Sequence, residues 1–215
     1  MQIRFLFIGE GPFDERLVPH LRRCCVLAGA DEADGITVPF TKLEGRIGHS
    51  IPEKLAAALK YESDVNLLIV HRDSDSRDPE PRYEEIHRAV SEVSHSLKYV
   101  PVVPIQETEA WLLLDEQAIR NIADNPRGTI QLNLPAANRV EDIPSPKEFL
   151  HRTILKASEQ TGRRYRRIEQ KISQKCGLML DALDPEGPVK DVPSWRRMFV
   201  DLKSAISTLS TSNSL

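Results

Sequence analysis

Four short apolar runs punctuate the first half of the chain: 3–8 (IRFLFI), 36–40, 65–70 (VNLLIV) and 99–105 (YVPVVPI). Each is too short for a helix and predicts a β-strand. The first and third are almost continuously apolar, the pattern of strands covered on both faces. The fourth carries Pro101 and Pro104, which predicts an edge or interrupted strand. Between the runs, apolar residues recur every three or four positions. Pro12 opens a predicted helix with Asp14 and Glu15 in its first turn and Leu17, Val18, Leu21, Cys25, Leu27 and Ala28 inward. Gly29 is its stop, and Pro19 predicts a kink or a division. Ser50, Pro52 and Glu53 predict a capping box that starts a helix ending near Tyr61, with Leu55, Ala58 and Leu59 inward. A third helix is predicted over 83–97 through Ile86, Ala89, Val90 and Val93. Strands alternating with helices predict an α/β fold on a parallel sheet.

Beyond the last run, Glu107–Asp115 reads as a helix start that buries Trp111 and Leu112. Residues 124–146 hold four prolines and no period, which predicts a long loop. Ser145 is placed to cap a helix over 146–160, a basic helix is predicted over 163–175, and a third follows Pro193 with Trp195, Met198, Phe199, Leu202 and Ile206 inward. The Ser/Thr-rich end, 207–215, is expected to fray. The domain reading is an α/β domain over 1–123, a Pro-rich loop over 124–145 and a C-terminal helical extension over 146–215 packed on the same domain.

With 215 residues the chain is long enough to bury a core without staples. Cys24, Cys25 and Cys176 make neither a disulfide framework nor a four-ligand zinc site, and so few cysteines suit a reducing compartment. No apolar run approaches the roughly 20 residues that span a bilayer. The first run lacks the small-residue site of a signal peptide. The expectation is a cytoplasmic protein with no membrane partner. A net charge of −3 excludes a uniformly basic coat, but nine Lys/Arg against three acids lie between Lys147 and Lys175. That asymmetry suits an anionic partner.

The chemistry-bearing feature is where the acids fall. In a parallel α/β sheet, ligands bind outside the carboxyl ends of the strands. The first run ends in Gly9-Glu10-Gly11, the third in Asp73-x-Asp75 and the fourth in Glu107-x-Glu109. Such carboxylates are hard oxygen ligands that suit Mg²⁺ or Mn²⁺. In an extended segment Asp73 and Asp75 share one side, and the glycines around Glu10 allow a phosphate to approach the backbone. Glu107 and Glu109 have a competing role as acids at a helix N-terminus. Arg72 is a candidate phosphate contact. Arg163, Arg164, Arg166 and Arg167, with Tyr165 among them, are candidates for gripping a nucleic-acid backbone and stacking a base, against a solvated helix face. No Walker A motif, nucleophile elbow or dinucleotide fingerprint is present.

These residues resemble the TOPRIM domain, the metal-binding α/β module of topoisomerases, primases and OLD-family nucleases. The resemblance rests on Glu10 in FLFIGEGPFDE and Asp73/Asp75 in LLIVHRDSDSRD. More closely, the chain is similar to the bacterial domain-of-unknown-function family 4276 in its GEG-x-x-DE start, its RD-x-D loop and its PIQETEAWLLLD segment, over roughly residues 3–115. The resemblance implies a four-stranded parallel sheet and Mg²⁺ chemistry on phosphodiesters. It assigns metal binding to Asp73 and Asp75, and makes Glu10 a ligand or general acid/base. It also implies a nuclease effector of bacterial anti-phage defence working beside a partner ATPase, on DNA or RNA. Two readings compete: a non-catalytic TOPRIM-like module that docks on that ATPase, and a phosphohydrolase of small molecules. The intact Glu10/Asp73/Asp75 set favours catalysis, and the basic segment favours a polymer.

Overall fold

The computed structural model describes residues 1–40, 48 and 50–212. They fall into two compact units: Met1–Arg72, Pro79–Val103 and Arg197–Leu215 in the first, Asp73–Asp78 and Pro104–Arg196 in the second.

The first unit is built on β1 (Gln2–Ile8), β2 (Glu32–Thr37), β3 (Leu67–His71) and β4 (Lys98–Val102). All pairs are parallel, in the order β2-β1-β3-β4. The expected four-stranded parallel sheet with flanking helices is therefore present, and the two most apolar runs are its central strands. Leu6 lies opposite Leu68 and Ile8 opposite Val70. These four pack with Leu55 and Ala58 of α2 (Ile51–Tyr61) and with Ile86, Ala89 and Val90 of α3 (Glu80–Val93). The Ser50/Glu53 capping box is complete. β4 is an edge strand that accommodates Pro101.

Several boundaries differ from expectation. β2 starts four residues earlier than the apolar run, at Glu32. As an edge strand it buries little, so acids are tolerated there. Its Gly35 sits opposite Phe5, and a Cβ at Gly35 would stand 2.4 Å from the Phe5 ring and 2.6 Å from Val18. β3 starts at Leu67, because Asn66 serves as its lead-in: Arg4 N–H donates to Asn66 Oδ1 and Asn66 Nδ2 donates to Gln2 O. The first helix is divided. A 3₁₀ turn, Asp14–Leu17, precedes α1 (Val18–Leu27), and Pro19 falls in the first turn of α1, where its missing N–H is harmless. Leu27 is exposed, not inward. α3 begins at Glu80, with Pro81 in its first turn, and ends at Val93. The Ser/Thr-rich end stays helical through Ser212 in α8 (Pro193–Ser212): Thr208 and Ser210 donate their hydroxyls to Ser204 O and Ile206 O one turn back. Residues 213–215 lie outside the described ones.

The second unit is helical. A 3₁₀ turn, Thr108–Leu112, is followed by α4 (Glu116–Ile122), α5 (Pro146–Ala157), α6 (Gly162–Glu169), α7 (Ile172–Asp181) and the first residues of α8. Trp111 and Trp195 meet edge to face at 4.9 Å, and Trp111 Nε1–H donates to Ser194 Oγ at 2.9 Å. The expected single basic helix is broken at Gln170–Lys171, where Lys171 leaves helical angles (φ −107°, ψ 10°). Lys175 turns inward and donates to Ile122 O and Asp124 Oδ2. Among the described residues no helix is long and apolar enough to cross a membrane.

Candidate functional site

In the first unit, β1 delivers Glu10 into a loop whose amides are already engaged. The N–H groups of Glu10 and Gly11 donate to Asp14 Oδ2, at 2.7 and 3.0 Å. Gly9 is needed for this close approach, since a Cβ there would stand 2.8 Å from Asp14 Cβ. Gly9 thus admits the chain's own carboxylate. His71, buried at the end of β3, presents Nδ1 3.5 Å from the same Asp14 oxygen. Burial would push the Asp14 carboxyl up, but His71 and the two amides outweigh it and hold it below the usual range. The Glu10 carboxylate stands 3.3 Å from Arg72 Nε, and Lys54 Nζ donates to the carbonyls of Gly9 and Glu10, each at 3.0 Å. Burial and the Arg72 guanidinium hold the Lys54 ammonium below its ordinary value.

Asp73, Asp75, Glu107 and Glu109 all belong to the second unit. Residues 73–76 and 104–108 are zipped together. Ser74 N–H donates to Pro104 O, Asp75 N–H to Gln106 O, and Gln106 N–H to Ser74 Oγ and Ser76 O. Asp75 (φ 53°) and Gln106 (φ 64°) are both left-handed without being glycine. The side-sharing expected of Asp73-x-Asp75 requires an extended chain, and the backbone at Asp75 is not extended. Asp73 Oδ1 accepts the amide and the hydroxyl of Thr108, each at 2.9 Å, and so caps the 3₁₀ turn. Glu107 occupies the N-cap position of that turn without capping it. Its Oε2 instead accepts the amide of Lys147 at 2.9 Å, taking over at α5 the role expected of Ser145, whose side chain makes no cap bond.

Glu109 is buried, 6% exposed. Burial pushes its carboxyl up to about 7; its own amide and the Lys147 ammonium pull downward, and the carboxylates of Asp73 and Glu107 push further up. The Cys176 thiol is pushed by burial, and then by Glu109, to about 12, which leaves it an inert thiol. His151, one turn beyond Lys147 on α5, is held below its ordinary pKa by burial and by Lys147.

No family model, curated protein or solved structure matches the chain. The residues themselves therefore carry the functional argument. Among the described residues, no three His, Cys, Asp or Glu side chains converge as a ready-made metal cage. Mg²⁺ does not require one, because it binds through one or two carboxylates and completes its octahedron with water and substrate phosphate. The donor set fits in kind: carboxylate oxygens with Asp73 held in place, and an acid, Glu109, destabilised as an anion chiefly by its burial.

The four arginines lie exposed on α6, in the second unit, while Tyr165 is half-buried. Sequence reasoning passed over Asp14 as a helix-terminus acid and missed Lys54, Thr108 and Lys147. Only Asp14 left a usable signal, a carboxylate three residues after Gly-Glu-Gly, the spacing at which a short acid bonds nearby amides.

Proposed function

We propose that the chain is a Mg²⁺- or Mn²⁺-dependent hydrolase of nucleic-acid phosphodiesters. The observation that carries this reading is Asp73, oriented by two hydrogen bonds from Thr108 on a pair of zipped loops, each of which holds one non-glycine residue, Asp75 or Gln106, in left-handed backbone. Strain of that kind collects where geometry is imposed for use. Asp73 and Glu109, with Glu107 and Asp75 beside them in sequence, would hold the ion. A bound divalent cation neutralises phosphoryl charge and lowers the pKa of its water. Thr108 keeps the Asp73 carboxylate aimed, and Lys147 offsets part of the negative charge around Glu109. The TOPRIM resemblance adds Glu10 as acid/base and Arg72 as phosphate contact, and supplies the setting: a cytoplasmic effector of anti-phage defence with a partner ATPase.

The test is a plasmid-nicking assay in Mg²⁺ and Mn²⁺, with calorimetric Mn²⁺ titration. Asp73→Asn should lose most of the Mn²⁺ heat and the nicking, and Glu10→Gln should lose nicking. Metal-dependent cleavage that persists in highly purified Asp73→Asn refutes the assignment. A second reading, a non-catalytic module that docks on an ATPase, is favoured by Asp14 filling the Gly-Glu-Gly loop and by the Arg72–Glu10 pair. Wild-type protein with neither Mn²⁺ heat nor cleavage would select it.

A further inference from the structure

The strongest unexplained feature of the second unit is a groove of about 520 Å³ between α5, the start of α6 and the loop at Ile130. Its rim is basic. Arg152 and Lys156 stand one turn apart on α5, both exposed, and neither engages an acid among the described residues. Its lining also includes an apolar and aromatic set: Leu155, Tyr165 and Ile130. Ile130 is 43% exposed, yet it is firmly held. The amides of Thr129 and Ile130 donate to Glu159 Oε1 at 2.7 and 3.0 Å, and buried Arg120 donates to Ile130 O at 2.7 Å. Glu159, the one acid on the groove, is thus occupied with the loop, and those amides keep its carboxyl below the usual range.

Of the RRYRR run only Tyr165 lines the groove. At 100° per residue, Arg163 and Arg167 project from the opposite side of α6. Arg164 and Arg166 stand about 100° to either side of Tyr165, and none of the four arginines lines the groove with it. The cations that accompany Tyr165 are Arg152 and Lys156.

We infer that this groove is a subsite for an unpaired nucleotide, with the base stacked on Tyr165 against Ile130 and Leu155 and the flanking phosphates on Arg152 and Lys156. A base held in a duplex cannot offer its face to Tyr165, so the groove selects single-stranded nucleic acid. The inference rests on the phosphodiesterase reading and names its substrate form.

The test is anisotropy of fluorescein-labelled oligothymidylate and of the matching duplex, in EDTA so that the metal site does not contribute. Wild type should prefer the single strand. Tyr165→Leu should weaken single-strand binding roughly five- to hundred-fold, the range of one lost stack, and erase the preference. Tyr165→Phe should retain both. The double change Arg152→Gln/Lys156→Gln should lower the salt slope by about 1.4, two contacts at about 0.7 each. Wild-type affinity in both Tyr165→Leu and the double variant overturns the subsite while leaving the hydrolase reading, which Mn²⁺ heats and nicking assess separately. Displacement by polyglutamate together with an inert Tyr165→Leu change also overturns it, since the groove would then bind acidic polymers by charge alone. A wild type that binds no oligonucleotide while still nicking plasmid overturns the subsite only; one that neither binds nor nicks overturns both.

Discussion

Asp73 caps the turn that begins at Thr108: one carboxylate oxygen takes both the amide and the hydroxyl, at 2.9 Å each. The observed structural role and the proposed metal-binding role fall on the same side chain, and the two separate under substitution. Asp73→Asn keeps an acceptor oxygen and should move the urea midpoint little. Asp73→Ala should cost about 1 kcal/mol, the usual worth of a lost cap. Both should lose Mn²⁺ heat equally. Heats that track the urea midpoint would mean that the residue acts only through stability.

Glu109 makes stability depend on pH. Its carboxyl titrates near 4.5 when unfolded and about 7 when folded, so between those values the folded state holds the extra proton. Stability should therefore fall as pH rises from about 4.5 to 7 and then level off, by a few kcal/mol to order of magnitude. Glu109→Gln should flatten that limb and be the more stable protein at about pH 8, above the folded value. Thermal melts across pH read this directly, and added Mn²⁺ should raise the wild-type melting point more above the folded pKa than below it.

Asp14 gives the opposite limb. Its folded pKa lies below the ordinary 3.8, so its contribution is present above that value and is lost as pH falls through the folded pKa. Asp14→Asn should destabilise the protein at neutral pH, and the gap to wild type should narrow in acid. A gap that stays constant from neutral pH to about pH 3 would show that the carboxylate charge is irrelevant.

Glu107→Ala removes the acceptor of the Lys147 amide and should weaken the start of α5 by about 1 kcal/mol. Glu107→Gln should restore most of it. Urea denaturation of the two variants measures the difference.

Gly35→Ala should cost about 1–3 kcal/mol, because the new Cβ meets the Phe5 ring at 2.4 Å. Combining it with Phe5→Leu should recover part of that loss, which additive effects would not give.

The central strands were legible because Phe5–Ile8 and Leu67–Val70 are covered on both faces: every residue in these two stretches is buried, leaving no polar position to blur the run. The Ser50/Glu53 capping box was legible because both partners lie within one helical turn. The first four residues of β2 were hidden since an edge strand needs no apolar alternation, and its Gly35 answers to a ring on another strand. At the candidate site, the positions of the acids could be read but not their partners. Glu107 serves an amide 40 residues away, and Asp73 serves a turn 35 residues away; no local period encodes either. The burial of Glu109 had a trace in the Ala110–Leu114 run beside it, whose neighbours had to be covered.

Two amides of the Gly-Glu-Gly loop face Asp14, a carboxylate tethered three residues from Gly11. A tethered ligand competes at roughly millimolar effective concentration or above, whatever its intrinsic affinity. Any phosphate using these amides must evict a resident anion that diffusion never removes. Under the proposed phosphodiesterase function, a weakly bound metabolite at low free concentration would be screened out, whereas an anion delivered by simultaneous attachment elsewhere, as one phosphate of a long polymer is, would win the exchange.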